Sequence, residues 1–431
     1  MVDVLSKETH IFSWLFCYLL ILSGFFVLIC LYLLFKLFIT IKNDKICSYI
    51  SINYDRGANM NKKISIILIP LVMSFTGCSS TPREAKVYLA SWNNCSSLTT
   101  LKEYIKDVTN KNSKNFIPVE DRIATFDMDG TFVGELYPSY FEYNLLEYRG
   151  LEDETYTNKD EYVVETAQDI RNFVRNGKAL PKYDEDHGFD LKHAHAAAKA
   201  YAGMSLAEFD TYVKEFAKKP ANGFENMTYA ESFYKPMLEV FDYLKANDFT
   251  FYVVSGSDRF ICRSLVESLG IESNRVIGMD VTLKSSKQGD ADGVNYTMQS
   301  DEDLYRTDEL IIKNLKTNKV KQIAQEIGKV PVLSFGNSGG DSAMHNYCLS
   351  NEKYRTEAFM LVADDDQRDH ARKQIVDGGI VRLENDEEFE ARIEGLNSDW
   401  TKAHYNVISM KDDFKTIYGE DVVKTDFVFN N

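Results

Sequence analysis

The feature that most constrains this chain is a series of short apolar runs, each stopping abruptly at small or acidic residues. RIATFDMDGT (122–131) places Ile123, Ala124 and Phe126 before two aspartates and a glycine. FTFYVVSGS (249–257) ends in small polar residues, and VPVLSFGNSGGD (330–341) ends in a glycine-rich turn. NRVIGMDVTL (274–283), AFMLVADDD (358–366) and GIVRL (379–383) also read as strands. Continuous apolar runs of this length fit strands covered on both faces. Helical patterns separate them, as in LTTLKEYIKDVT (98–109), with Thr100 as a cap, and VKQIAQEIG (320–328). The alternation predicts an α/β fold: a parallel sheet with helices on both faces. Active groups in such sheets lie beyond the carboxyl ends of the strands, where three of these runs place their polar residues.

Residues 135–246 read as mostly helical. LKHAHAAAKAYAG (191–203) is alanine-rich and stops at Gly203. SLAEFDTYVKEFAKK (205–219) opens with Ser205 and has Glu208 three residues on, the pattern of a capping box. KPMLEVFDYLKAND (235–248) is amphipathic. The sequence has no internal repeat, and its 8 prolines argue against long disordered linkers.

The front of the chain differs from the rest. Residues 11–41 form an apolar run interrupted only by Lys36, long enough to cross a bilayer. From Met60, the basic Lys62 and Lys63 precede a shorter apolar stretch, then small residues and Cys78, the order of a secretory signal peptide. Residues 1–59 are therefore either a transmembrane segment or a misassigned start, and 60–77 a lipoprotein signal peptide. If Met1 is the start, the lysines and arginine of 42–63 keep that stretch inside, and the second segment sends the remainder outward. The thr-gly-cys ending resembles the bacterial lipobox, with Phe75 departing from the aliphatic residue usual there. The resemblance implies lipid on Cys78 and an extracytoplasmic protein, in the periplasm or at the cell surface, anchored to a membrane. The other reading is a buried helix with an ordinary cysteine.

Net charge is −16, and residues 1–77 carry seven Lys/Arg against four Asp/Glu, leaving about −19 on the rest. Such a surface repels nucleic acid, so no nucleic-acid partner is expected. It would also repel a phosphate ester, so a phosphate site here needs a local cation. The 7 cysteines have no CxxC pair, which argues against a disulfide framework or a zinc site.

Asp127 and Asp129 follow a buried strand, and Gly130 lets the chain turn so that both can face one site. Two such carboxylates can bind Mg2+ through hard oxygens, or one can attack phosphorus while the other moves protons. Alone, DxDG also fits two solvated aspartates in a turn.

The motif is not alone. FDMDGT resembles the first motif of haloacid dehalogenase (HAD) superfamily hydrolases, VVSGS the second, and SFGNSGGDSAM the fourth. NKVKQIAQEIGKVPVLSFGNSGGD resembles their lysine-bearing helix and the strand it leads into. The order and spacing extend over about residues 86–420. GMSLAEFD, YKPMLEVFDYL and the GNSxGD turn further resemble bacterial exported HAD lipoproteins related to phosphoserine phosphatase. The resemblance implies a Rossmann-like core over 78–134 and 247–431. It also implies a helical cap over 135–246, whose stretches 194–202 and 206–216 close over the site. The activity implied is a Mg2+-dependent phosphomonoester hydrolase acting on a small phosphorylated substrate. In that resemblance Asp127 is the nucleophile and Asp129 the acid and base. Ser255, Gly256 and Lys319 hold the phosphate. Asp127, Asp341, Asn337 and the backbone carbonyl of Asp129 hold Mg2+.

The chain departs from the family at Asn337, where many members have Asp, and at Gly339, where close relatives have an acid. Lys319 has rivals in Lys313 and Lys316: the exported relatives' spacing selects Lys319, that of phosphoserine phosphatases Lys316. Glu135 matches a glutamate that contacts the substrate amine in phosphoserine phosphatases, or is simply a helix-start acid. His187, His193 and His195 lack metal-site spacing and read as a solvated helix. Residues 364–366 read as a solvated acidic loop. Tyr137, Tyr140 and Phe141 read as core or pocket lining. Dehalogenases lack the second aspartate, and ion-pumping ATPases carry Thr there. A phosphomutase-type phosphotransferase shares the pair. A non-catalytic surface lipoprotein that binds through this fold would be expected to have lost Asp127, Asp129, Lys319 or Asp341; all four are present.

Overall fold

The computed structural model describes residues 88–135, 140–376 and 379–429. The apolar segments at 11–41 and 60–77, Cys78 and Tyr137 lie outside the described residues. Among the described residues no helix is long and apolar enough to cross a membrane.

Seven strands form one sheet: β1 (Ile123–Phe126), β2 (Thr250–Asp258), β3 (Val276–Ser285), β4 (Leu304–Ile312), β5 (Leu333–Gly336), β6 (Glu357–Val362) and β7 (Asn406–Ser409). Their order is β7-β6-β5-β1-β2-β3-β4. Every neighbouring pair is parallel except β3 and β4. The chain winds outward from β1 to β4, then returns to the other side of β1 with β5. A crevice forms at such a reversal, beyond the strand carboxyl ends.

The side-chain alternation within β2 explains why its run is continuously apolar. Phe251 and Val253 join the large core, while Tyr252 and Val254 pack with Ile277, Ile323 and Met344 in a separate cluster. Both faces are thus covered by helices, as an α/β sheet requires. The strand read at 379–383 lies elsewhere: Gly379–Arg382 pairs antiparallel with Lys373–Val376 in a separate ribbon.

The helices include α1 (Ser96–Thr109), α2 (Phe141–Leu151), α3 (Glu161–Asn176), α4 (Phe189–Ala200), α5 (Leu206–Ala217), α6 (Lys235–Ala246), α7 (Arg259–Val266), α8 (Thr317–Glu326) and α9 (Ser342–Leu349). Thr100, expected to cap the first of them, lies inside it. The capping box at Ser205 and Glu208 is formed, and α5 starts there. Helices α2, α3 and α4 pack on one another as an insertion after β1. Helix α6, expected within that insertion, packs on the sheet. Its Phe241 lies 4.7 Å from the Phe126 ring and 4.5 Å from the Phe251 ring, so its apolar face completes the central core.

The insertion is fastened to the sheet through β4. Arg306, fully buried, gives Asp258 two hydrogen bonds, at 2.6 and 3.2 Å. Its guanidinium lies 4.1 Å from the Phe209 ring of α5. Its backbone exchanges hydrogen bonds with Met204 and Gly203, adding a short length of backbone to the outer edge of β4. Charges this deep need each other, because removing one leaves the other desolvated and unpaired. Arg306→Leu should therefore lower unfolding free energy by about 3 kcal/mol, read by urea denaturation. An unchanged midpoint would show that this pair does not hold the insertion.

Candidate active site

The first turn of the site is shaped by a glycine. Beyond β1, the Asp127 amide still donates to the Phe335 carbonyl of β5 at 2.9 Å, which holds Asp127 at the strand crest. The chain then reverses at Gly130, with φ +81°. A β-carbon there would sit 1.9 Å from Asn337 Nδ2. The turns after β1 and β5 can touch only because that carbon is absent. Gly336 has a similar role, since a β-carbon on it would lie 2.6 Å from Asp341 Cβ.

Lys319 lies in the first turn of α8, with 1% of its side chain exposed. Its Nζ donates to Asp127 Oδ1 at 2.5 Å and to Asp341 Oδ1 at 2.7 Å. The other Asp341 oxygen accepts the amides of Asn337 and Ser338, both at 3.1 Å. Asp129 is held by a different strand: Ser257 Oγ, at the end of β2, donates to its Oδ2 at 2.8 Å. The Ser257 amide donates in turn to Ser255 Oγ at 3.0 Å. Asn337 gives its Nδ2 to Glu135 at 3.0 Å.

These groups open on a cavity of about 520 Å³. Asp127, Asp129, Gly256, Ser257, Lys319, Asn337 and Asp341 line it, and so do Tyr140, Glu142 and Asp190 of the insertion. The insertion thus covers the site, through α2 and α4. Helix α5, expected to close over the site too, packs instead on α7 and β4. Ser255 is fully buried behind Gly256 and Ser257, and is not part of the lining.

Burial dominates the electrostatics. It raises the Asp127 carboxyl to about 7, with the Asp341 charge adding to the effect and Lys319 opposing it. Burial would also raise Asp341, but the Lys319 ammonium and two backbone amides hold it below its ordinary value. The two carboxyls are thus pushed in opposite directions, Asp127 up and Asp341 down. Asp129 is raised to about 6 by burial, against the Ser257 hydrogen bond, with help from Glu142 and Glu135. Burial would lower Lys319, but Asp127 and Asp341 raise it.

This donor set suits Mg2+, which is commonly held by one or two carboxylates and keeps several waters. Among the described residues no group of three or more His, Cys, Asp or Glu is placed to hold a metal ion by itself. Asp127 and Asp341 converge on one cation, the Lys319 ammonium. The Asn337 side chain adds a neutral oxygen.

No protein-family model and no curated protein matches the chain. Solved structures similar to it include a conserved protein of unknown function from Anaerococcus prevotii, 13% identical, covering 80% of this chain and 99% of that one, with a TM-score of 0.44. A phosphoserine phosphohydrolase-like protein from Francisella tularensis is 12% identical, covering 56% of this chain and 88% of that one, with a TM-score of 0.31. A HAD family hydrolase from Salmonella enterica serovar Typhi is 13% identical, covering 56% and 61%, with a TM-score of 0.31. Every one of these likenesses is distant.

Other residues singled out by sequence are distributed differently. His193 is buried, with its ring against Tyr143, whereas His187 pairs with Asp184 and His195 stacks on Tyr183. The three do not converge. Asp364 and Asp365 are buried rather than solvated: Asp364 accepts Ser409 Oγ, and Asp365 accepts the Gln367 amide. Phe141 is core and Tyr140 lines the cavity. Sequence reasoning missed Ser257, although it stands in the second motif itself, and it missed Glu142. Glu142 accepts Lys313 Nζ at 3.0 Å and the Asp258 amide at 3.2 Å, contacts no local pattern signals.

The Ser257 hydrogen bond stabilises the charged form of Asp129, so its removal should raise that carboxyl further. In metal-free Ser257→Ala, carbon-detected NMR titration should place Asp129 above the parent's value of about 6. An identical titration in both proteins would exclude the contact.

Proposed function

We propose that this chain is a Mg2+-dependent phosphomonoester hydrolase of the HAD type. The observation that carries the reading is the convergence of Asp127, Lys319 and Asp341 beside Asp129 at the strand carboxyl ends. Phosphoryl transfer asks mainly for alignment and for cancellation of spreading negative charge.

In this reading an Asp127 oxygen attacks phosphorus in line. The bond to the leaving oxygen breaks as Asp129 delivers its proton, and the alcohol departs. Water then attacks the aspartyl-phosphate on Asp127, giving its proton to Asp129. Phosphate leaves, and both carboxyl groups are restored. Lys319 keeps Asp127 oriented and opposes charge on the phosphoryl oxygens, while Gly256 and Ser257, at the end of β2, face the transferred group. Bound Mg2+ would add positive charge against those oxygens, held by Asp127, Asp341, Asn337 and the Asp129 carbonyl. Tyr140, Glu142 and Asp190 limit the water around the ester. Asp129, raised by burial, is suited to hold a proton near neutrality and release it in turn.

The basic, apolar and small-residue order of 60–78 supports export, with lipid on Cys78 as the anchor. The acidic remainder disfavours nucleic acid, and a small phosphorylated substrate depends on the local cation that Lys319 supplies.

Asp127→Asn should lower turnover of phosphate esters by several orders of magnitude, because it keeps the shape and removes the anionic nucleophile. Asp129→Asn should harm esters with poor leaving groups most and spare aryl phosphates. Chelation of Mg2+ should abolish both activities. An Asp127→Asn protein as fast as its parent would overturn the nucleophile. A parent inert toward all phosphate esters with Mg2+ present would favour a binding protein.

Cys78→Ser should yield an unlipidated, uncleaved precursor, read by mass spectrometry of the amino terminus. A mature, lipid-free terminus elsewhere would exclude the anchor.

A further inference from the structure

Between residues 313 and 319 three lysines recur at intervals of three, and all of them line the catalytic cavity. Two are committed. Lys319 bridges Asp127 and Asp341, and Lys313 donates to Glu142 at 3.0 Å. Lys316 makes no ion pair and no side-chain hydrogen bond among the described residues.

The backbone at Lys316 is unusual. Its φ is +53° and its ψ −126°, a region in which a β-carbon is disfavoured and glycine is at ease. The surrounding loop is braced to hold it there. The Lys316 amide donates to the Gly340 carbonyl at 3.1 Å. Asn314 Nδ2 donates to the Ser255 carbonyl at 2.9 Å, and Asn318 Nδ2 to the Lys313 carbonyl at 3.0 Å. Leu315 packs directly over Gly256. Backbone strain that the neighbouring structure enforces is characteristic of functional positions. Here it holds a cationic side chain where glycine would cost less.

We infer that Lys316 recognises a second anionic group on the substrate, so that the preferred esters carry a carboxylate or another phosphate on the alcohol portion. The inference rests on the phosphatase reading and deepens it. Lys319 serves the transferred phosphoryl group, and Glu142 neutralises Lys313. A further anion entering this acidic cavity would be repelled unless another cation met it; Arg392, which also lines the cavity, is already engaged, and Lys316 is available. The acids facing the same space are occupied in part: Glu135 holds the Asn337 amide, and Asp190 accepts the Tyr143 hydroxyl.

The test compares 3-phosphoglycerate with glycerol 3-phosphate, which differ by one carboxylate, and adds phosphoethanolamine as the cationic probe. The full-length parent, Lys316→Met, Lys316→Gly and Lys316→Arg are assayed with Mg2+. The parent should favour 3-phosphoglycerate by about tenfold or more in kcat/KM. Both neutral variants should bring that ratio close to one, mainly through the KM for 3-phosphoglycerate, and Lys316→Arg should keep most of it. Lys316→Gly removes the charge while relieving the backbone, so a structural role would not give this pattern. The inference is overturned if the parent shows no preference, if the preference survives in both neutral variants, or if phosphoethanolamine is the best substrate. Hydrolysis of none of the three esters, or of any other phosphate ester, would instead overturn the phosphatase reading, and the inference with it.

Discussion

Two carboxylates and one ammonium meet at the crest of the sheet, almost sealed from water, and neither carboxylate would be tolerated there alone. Asp127 comes from the end of β1, Asp341 from the turn after β5, and Lys319 from the helix that joins the outer strands back to the centre. Desolvation of any one of them is offset by the others, so the three elements are tied at the point where the chain changes direction. The imbalance is equally important. Burial raises the proton affinity of Asp127, the Asp341 charge adds to it, and the single ammonium opposes both. Under the proposed reading, a bound cation would offset that rise and favour the anionic form of Asp127.

Much of this was legible because parallel strands are buried on both faces and therefore read as unbroken apolar runs. β1, β2 and β5 each stop where the site begins. β4 escaped notice because LYRTDELII mixes charged and apolar residues, as suits an edge strand with one side open. Helix α6 was assigned to the insertion because amphipathicity reveals an apolar face but not what the face meets. Spacing alone left Lys316 and Lys319 as alternatives. In three dimensions they diverge completely: Lys319 turns inward from α8 between the carboxylates, and Lys316 stands before the helix with a positive φ.

The contacts that sequence did not reveal are those made across long separations. Glu142 and Lys313 are 171 positions apart, and Ser257 and Asp129 are 128 apart. Each residue is unremarkable in its own segment. Glu142 belongs to the first turn of a helix and Ser257 to a run of small residues. Their roles arise only when the insertion folds back over the sheet, an event that the capping box at Ser205 and the glycine at 203 permit but do not announce.

The short backbone pairing at Arg306 has a further consequence, in how copies of this molecule behave toward one another. β4 is the last strand on its side, and an unpaired edge is a template for joining sheets from separate molecules. The backbone around Gly203 and Met204 occupies part of that edge, and the remainder presents Asp308 and Glu309, both exposed. Repulsion between such acidic edges opposes stacking even where Ile311 is left uncovered. The residues that dock the insertion therefore also act as gatekeepers against aggregation, and a variant that loosened the insertion would unmask a sticky strand well before the sheet itself came apart.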